Sequence, residues 1–216
     1  NNNSFTEKSQ RFFGNAFVKY HTDFKSAGKH KLEVKYQLGM DAYSTSYQDI
    51  FGYGHGGGTG EISEEMISTN ETNSLITVNY DWNISDNWKL HALVGNEIVY
   101  NQTKDLYAYG SQFNFGGWNS LNNARSYSST ESFLKSLSFG TFANLSVDYK
   151  SILFLNATFR SDYVSTMPNG NRTFSYPSVS AGFVFTEIGN LKNNKVLSFG
   201  KIRASYAEVG QAGIYR

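Results

Sequence analysis

The segment from Leu32 to Ala42 alternates without a break. Leu32, Val34, Tyr36, Leu38, Met40 and Ala42 fall on one parity, with Lys31, Glu33, Lys35, Gln37, Gly39 and Asp41 on the other. A period of two puts each set on one side of a pleated strand, so one face is apolar and the other charged. The run is about twice the usual strand length of roughly 5–6 residues in globular proteins. It suits a tilted strand crossing a bilayer, which needs ~9–11 residues with lipid on one side and water on the other.

The same plan recurs along the chain. Phe12 to Phe24 alternates ahead of a short turn at Lys25–Lys29, so it pairs with the first segment as a hairpin. Ile76 to Ile84 and Trp88 to Tyr100 alternate around Ser85–Asn87, with Asn96 on the apolar parity as a local departure and a candidate bulge. Phe139 to Tyr149 and Leu153 to Tyr163 alternate around Lys150–Ser151, and a less regular pair covers Phe174–Phe185 and Leu197–Val209. Three stretches, 49–73, 102–137 and 164–173, lose the period and read as long loops. About eight strands with no helical period make the chain all-β.

Composition narrows the function. The 19 basic and 18 acidic residues nearly cancel, which removes the basic footprint of a nucleic-acid binder. No cysteine is present, so there is neither a disulfide framework nor a thiolate metal site. No apolar run reaches the ~18 residues of a membrane-crossing helix, a test that a β-barrel escapes. No basic, apolar leader opens the chain, so it is expected to be either a cytosolic protein or a piece of a longer, exported one.

Alternation does not say which face is wet. In a sandwich the apolar face meets a core, whereas in a transmembrane barrel it meets lipid and the polar face lines a lumen. Strand length, long loops at one end against short turns at the other, and aromatics at strand ends favour the barrel. Trp82 and Trp88 flank one short turn, with Tyr20, Phe24, Tyr149 and Phe185 at other strand ends, as an interfacial girdle requires.

Two glycine motifs carry little weight. Gly52-Tyr-Gly-His-Gly-Gly57 matches a dinucleotide fingerprint and His55-Gly-Gly-Gly58 an oxyanion-hole element. The first needs a βαβ unit and the second a GxSxG elbow, and the chain offers neither. His21, His30, His55 and His91 sit on separate elements without metal-ligand spacing. The residues point to no enzyme, no metal and no cofactor.

The last third carries a more specific signal. Arg160 to Arg172, then Tyr176-Pro-Ser-Val-Ser-Ala-Gly-Phe-Val-Phe185, then Leu197 to Gly210 with its Phe199-Gly-Lys-Ile-Arg-Ala-Ser-Tyr-Ala-Glu-Val-Gly210 block, closely resemble the barrel of SusC/RagA-type TonB-dependent transporters of Bacteroidetes. About fifty residues carry the resemblance. It implies an antiparallel transmembrane β-barrel, with this chain supplying about eight consecutive strands of a larger barrel of about 22 strands. Residues 1–216 would then be part of one barrel domain, with the plug and remaining strands outside the chain. Ala212–Arg216 would run into a further loop.

The resemblance further implies outer-membrane nutrient import in a Gram-negative bacterium. The short turns would be periplasmic and the long loops extracellular, with membrane lipid around the wall. Partners would be a SusD-like surface lipoprotein as lid, the TonB complex acting through the plug, and an oligosaccharide or peptide substrate. Tyr107, Tyr109, Phe113, Trp118 and Asn119 are the expected ligand contacts of an aromatic, amide-rich extracellular loop that also holds Asn114, Asn122 and Asn123. Lys31, Glu33, Lys35, Asp41 and Arg160 are expected to face the lumen. The alternatives are a small stand-alone outer-membrane barrel acting as anchor or adhesin, and a soluble β-sandwich carbohydrate-binding module.

Overall fold

The computed structural model describes residues 3–24, 29–192 and 197–210. The turn at 25–28 and the segment from Ala212 onward lie outside the described residues.

Eight strands follow one another: β1 Ser4–Asp23, β2 His30–Phe51, β3 Glu61–Ser85, β4 Trp88–Phe113, β5 Ala124–Tyr149, β6 Leu153–Val164, β7 Thr173–Val184 and β8 Lys201–Ala207. They form one sheet in sequence order, an antiparallel meander with β1 and β8 at its edges. All eight strands lie in this sheet, so the pairing is not that of a two-sheet sandwich. No helix of the described residues is long and apolar enough to cross a membrane.

The strand count agrees with the sequence reading, but two of the three long loops do not. β2 to β5 run to 22, 25, 26 and 26 residues, so most of 49–73 and 102–137 is strand. What remains are the connections 52–60 and 114–123, each holding one 3-10 turn. The reason is that polar residues such as Thr69, Thr103, Ser128 and Thr130 pair as strands without an apolar face to mark the period. Conversely, β8 starts later than expected, and its connection from β7 contains two 3-10 turns.

Register is best seen in β5 to β7. Leu145 lies opposite Ala157, which lies opposite Val179, while Asn144, Thr158 and Ser178 occupy the other face. The turn from β5 to β6 is tight: Lys150 and Ser151 both take positive φ, Ile152 N donates to Tyr149 O at 2.9 Å, and Ser151 N donates to Asp148 Oδ1 at 2.7 Å. Asn96 lies within β4, where its amide donates to Gly140 O at 3.2 Å and Thr141 Oγ1 at 3.1 Å.

The chain divides into two compact units through which the strands run. The first comprises Asn1–Asn15, Gly39–Thr72 and Tyr100–Ser136; the second comprises Ala16–Leu38, Asn73–Val99 and Leu137–Arg216.

Candidate functional site

In the second unit the burial order is inverted relative to a soluble fold. Leu155, Ala157 and Phe159 of β6 are exposed, while Asn156, Thr158 and Arg160 between them are half-buried. Val179 on β7 is 56% exposed and Ile202 on β8 62%. A contiguous apolar face of this size is not left to water by a soluble monomer.

The polar face of the same unit is cross-linked. Lys19 Nζ donates to Glu33 Oε2 at 3.0 Å, and His91 Nδ1 lies 2.6 Å from Asp81 Oδ1. Asn156 Nδ2 donates to Ser146 Oγ at 2.7 Å, and Thr158 pairs with Ser178. Arg160 sits at the centre of the densest group: Nε donates to Asp162 Oδ1 at 2.8 Å and Nη2 to Glu97 Oε2 at 3.2 Å. Glu97 accepts in turn from Asn73 Nδ2 at 3.2 Å, and the guanidinium lies 5.6 Å from the Phe142 ring centroid. That ring fills the place of a side chain at Gly95, where a Cβ would stand 2.3 Å from Phe142 Cζ.

Aromatic side chains cluster on the apolar parity near the short turns. His30 stacks on Trp82 at 5.6 Å between centroids and on Phe24 at 6.2 Å, with His30 Nδ1 2.7 Å from the Tyr80 hydroxyl. Trp88 meets Tyr149 at 4.4 Å. Phe185, expected in the interfacial girdle, instead opens a 3-10 turn and covers Gly200.

The first unit buries three apolar side chains while Met66, Leu106 and Tyr107 stay exposed. Ile50, Ile62 and Phe113 form a small core, Ile62 at 1% and Phe113 at 3% exposure, with Leu121 and Ala124 packed against it. The connection 114–123 is tied down by buried Asn123, whose Nδ2 donates to Phe115 O and Trp118 O, both at 2.8 Å. Arg125 Nε donates to Asn114 Oδ1 at 3.0 Å.

Charge in this unit is segregated by parity. The odd positions of β2, β3 and β4 carry Asp41, Asp49, Glu61, Glu65, Glu71 and Asp105 and no basic residue, whereas the even positions carry only Glu64 and Lys104. Arg11 of β1 meets this set, its Nε donating to Asp41 Oδ1 at 2.9 Å. Tyr109 donates to Glu61 Oε2 at 2.5 Å, and that carboxylate, helped by burial, raises the phenol above its usual value. A groove of 560 Å³ is lined by residues of β1 to β5, among them Lys8, Gln48, Glu64, Met66, Leu106 and Tyr107.

These placements correct the location of the expected ligand contacts. Tyr107, Tyr109 and Phe113 stand on strand β4, and only Trp118 and Asn119 lie in a connection. Tyr107 borders the groove, Tyr109 is bonded to Glu61, and Phe113 belongs to the core. Trp118 is 47% exposed and stacks on Phe115 at 5.8 Å. Of the expected lumen residues, Lys31, Glu33 and Lys35 share the polar parity of β2 in the second unit, where Arg160 has its network; Asp41 falls in the first unit. Residues missed by the sequence reading are Glu97, Phe142 and Gly95, of which Phe142, an aromatic on the polar parity, was the visible signal.

Comparison with known proteins gives a consistent picture. No family model matches the chain. It is 28% identical over 161 residues to TonB-dependent receptor P26 of Formosa agariphila, which covers 72% of this chain and 16% of that protein. The fold matches a structure of the RagAB peptide transporter with a TM-score of 0.71 at 15% identity, covering 94% of this chain and 23% of that one. For the RagAB peptide importer in its 'open-open' state the TM-score is 0.77 at 18% identity, covering 95% of this chain and 22% of that one. The chain therefore spans about a fifth of the proteins it matches. The resemblance to SusC/RagA-type TonB-dependent transporters is borne out, and the eight-stranded sheet has the fold of their barrel wall.

Proposed function

We propose that this chain is a section of the barrel wall of a SusC-like importer in the outer membrane of a Gram-negative bacterium. The exposed apolar face around Leu145, Ala157 and Val179 carries the reading. Lipid covers such a face at no cost, whereas water does not. The likeness to a TonB-dependent receptor and to the RagAB barrel supports it.

In this reading residues 1–216 belong to one barrel domain whose plug and other strands lie elsewhere in the protein. Lys31, Glu33, Lys35, Asp41 and Arg160 face the lumen. Tyr107, Tyr109, Trp118 and Asn119 stand at the extracellular side, where Tyr107 and Trp118 offer open ring faces to a sugar or peptide. Phe113 acts beneath them by holding the connection that carries Trp118. A SusD-like lipoprotein closes the mouth, and TonB drives transport through the plug. The wall performs binding and passage without chemistry.

The test uses the full-length protein in its native membrane. It is expected in the outer-membrane fraction with a lipoprotein co-purifying, and deletion of its gene should abolish uptake of one class of oligosaccharide or peptide. Recovery of the full-length protein in the soluble fraction would remove the barrel reading. Unchanged uptake of both classes would remove the import reading.

A further inference from the structure

The connection from β6 to β7 holds the only Asn-Gly pair in the chain, Asn169-Gly170. Its base is tied by side-chain and backbone bonds, its apex by one backbone bond. At the base, Val164 N donates to Arg172 O at 2.8 Å, and Arg172 donates from Nε to Met167 O at 2.9 Å and from Nη1 to the Tyr163 hydroxyl at 3.4 Å. At the apex, Asn171 N donates to Pro168 O at 3.0 Å, which closes a four-residue turn with Asn169 and Gly170 at its centre. Both central residues are exposed, and Gly170 has φ of 96°.

Two features of this apex bear on reactivity. Apart from Asn169 and Asn171, no atom lies within 4 Å of where a Gly170 Cβ would be, so no other side chain crowds the Gly170 backbone. Among the described residues no acceptor holds the Gly170 amide hydrogen. The amide nitrogen is therefore neither shielded by a side chain nor tied into the ladder that protects the strand amides on either side.

We propose that Asn169 is a site of spontaneous deamidation. The Gly170 amide nitrogen loses its proton to hydroxide and attacks Asn169 Cγ; the bond from Cγ to the side-chain nitrogen breaks, and ammonia leaves. The five-membered succinimide then takes up one water at either ring carbonyl and opens to aspartate or isoaspartate. One water is consumed and one ammonia released, with no change of oxidation state. Either product places a new carboxylate in the loop that holds Arg172, and isoaspartate also lengthens the backbone of the turn by one carbon. The fixed base confines that change to the apex, because the register from Tyr163 opposite Thr173 onward is held by the β6–β7 ladder.

The experiment is peptide mapping by mass spectrometry on the full-length protein, incubated folded at mildly alkaline and at mildly acidic pH. Fragmentation that separates aspartate from isoaspartate is required. The expected result is a gain of one dalton at Asn169 before any other asparagine of residues 1–216, faster at the alkaline pH, with both isomers present. The rate should stay within about threefold of that in the urea-unfolded protein, since an exposed loop apex opens at almost no free-energy cost. The variant Asn169→Gln should not show the gain, because its longer side chain would have to close a six-membered ring. Earlier reaction at Asn73 or Asn119, each followed by serine, would overturn the proposal. So would an Asn169 that reacts only after unfolding.

Discussion

The two units take parts of the same strands and cover them differently. In the first, Ile50, Ile62 and Phe113 are buried beside half-covered Asp41, Glu61 and Asp105, while Met66 and Leu106 stay exposed; in the second, Leu145, Leu155 and Val179 are exposed, and Asn144, Ser146 and Asn156 are the better covered. A strand has no intrinsic inside. Its solvent decides which parity is stabilised by being covered, and a long strand can pass from one solvent to another without changing its backbone.

The largest test of this difference is removal of the first unit's core. Phe113→Ala should destabilise that unit by about 3–5 kcal/mol, as for other buried aromatic truncations, and Trp118 fluorescence in denaturant should report the loss. If the Trp118 transition does not move, the connection is held by something other than this core.

A sharper comparison places one charge on the same apolar parity in each unit. Leu145→Lys, near the middle of β5's alternating run, should cost about 2–4 kcal/mol in a bilayer. Met66→Lys, at a position already 47% exposed on β3, should stay within about 0.5 kcal/mol. Equal losses, read as thermal midpoints in lipid discs, would mean that the two units share one solvent.

Asn123→Ala is expected to cost about 1–3 kcal/mol, because the carbonyls of Phe115 and Trp118 lose their shared donor in a buried place. Faster amide exchange confined to 114–123 would check it. The smallest effect is that of Asp41→Asn, which removes the exposed ion pair with Arg11; the shift in thermal midpoint should be small and should shrink further as salt is raised.

How far the sequence could be read follows from the same contrast. In the second unit an apolar and a polar face alternate along each strand, so the runs at 32–38, 76–84 and 153–159 were legible. In the first unit both faces of Glu61–Thr72 and Tyr100–Ser111 tolerate polar residues, so the period fades and strand reads as loop. Its core was hidden for another reason. Ile50, Ile62 and Phe113 are isolated in sequence and meet only through pairing of three strands. The aromatics at Phe24, Trp82, Trp88 and Tyr149 were legible as residue type at strand ends. The network around Arg160 was not, because Glu97 and Asn73 are brought to it by register alone.

The Phe142 ring seated over Gly95 ties two positions forty-seven residues apart into one shape. Neither can enlarge alone: a methyl at position 95 would need the space that ring occupies. Among relatives of this chain the two sites should therefore change together, a bulkier residue at one accompanied by a smaller one at the other. Arg160, resting against the same ring, should follow the exchange. An alignment of relatives would then carry the spacing of β4 and β5 as a correlated triplet, written in residue volume rather than in hydrophobicity.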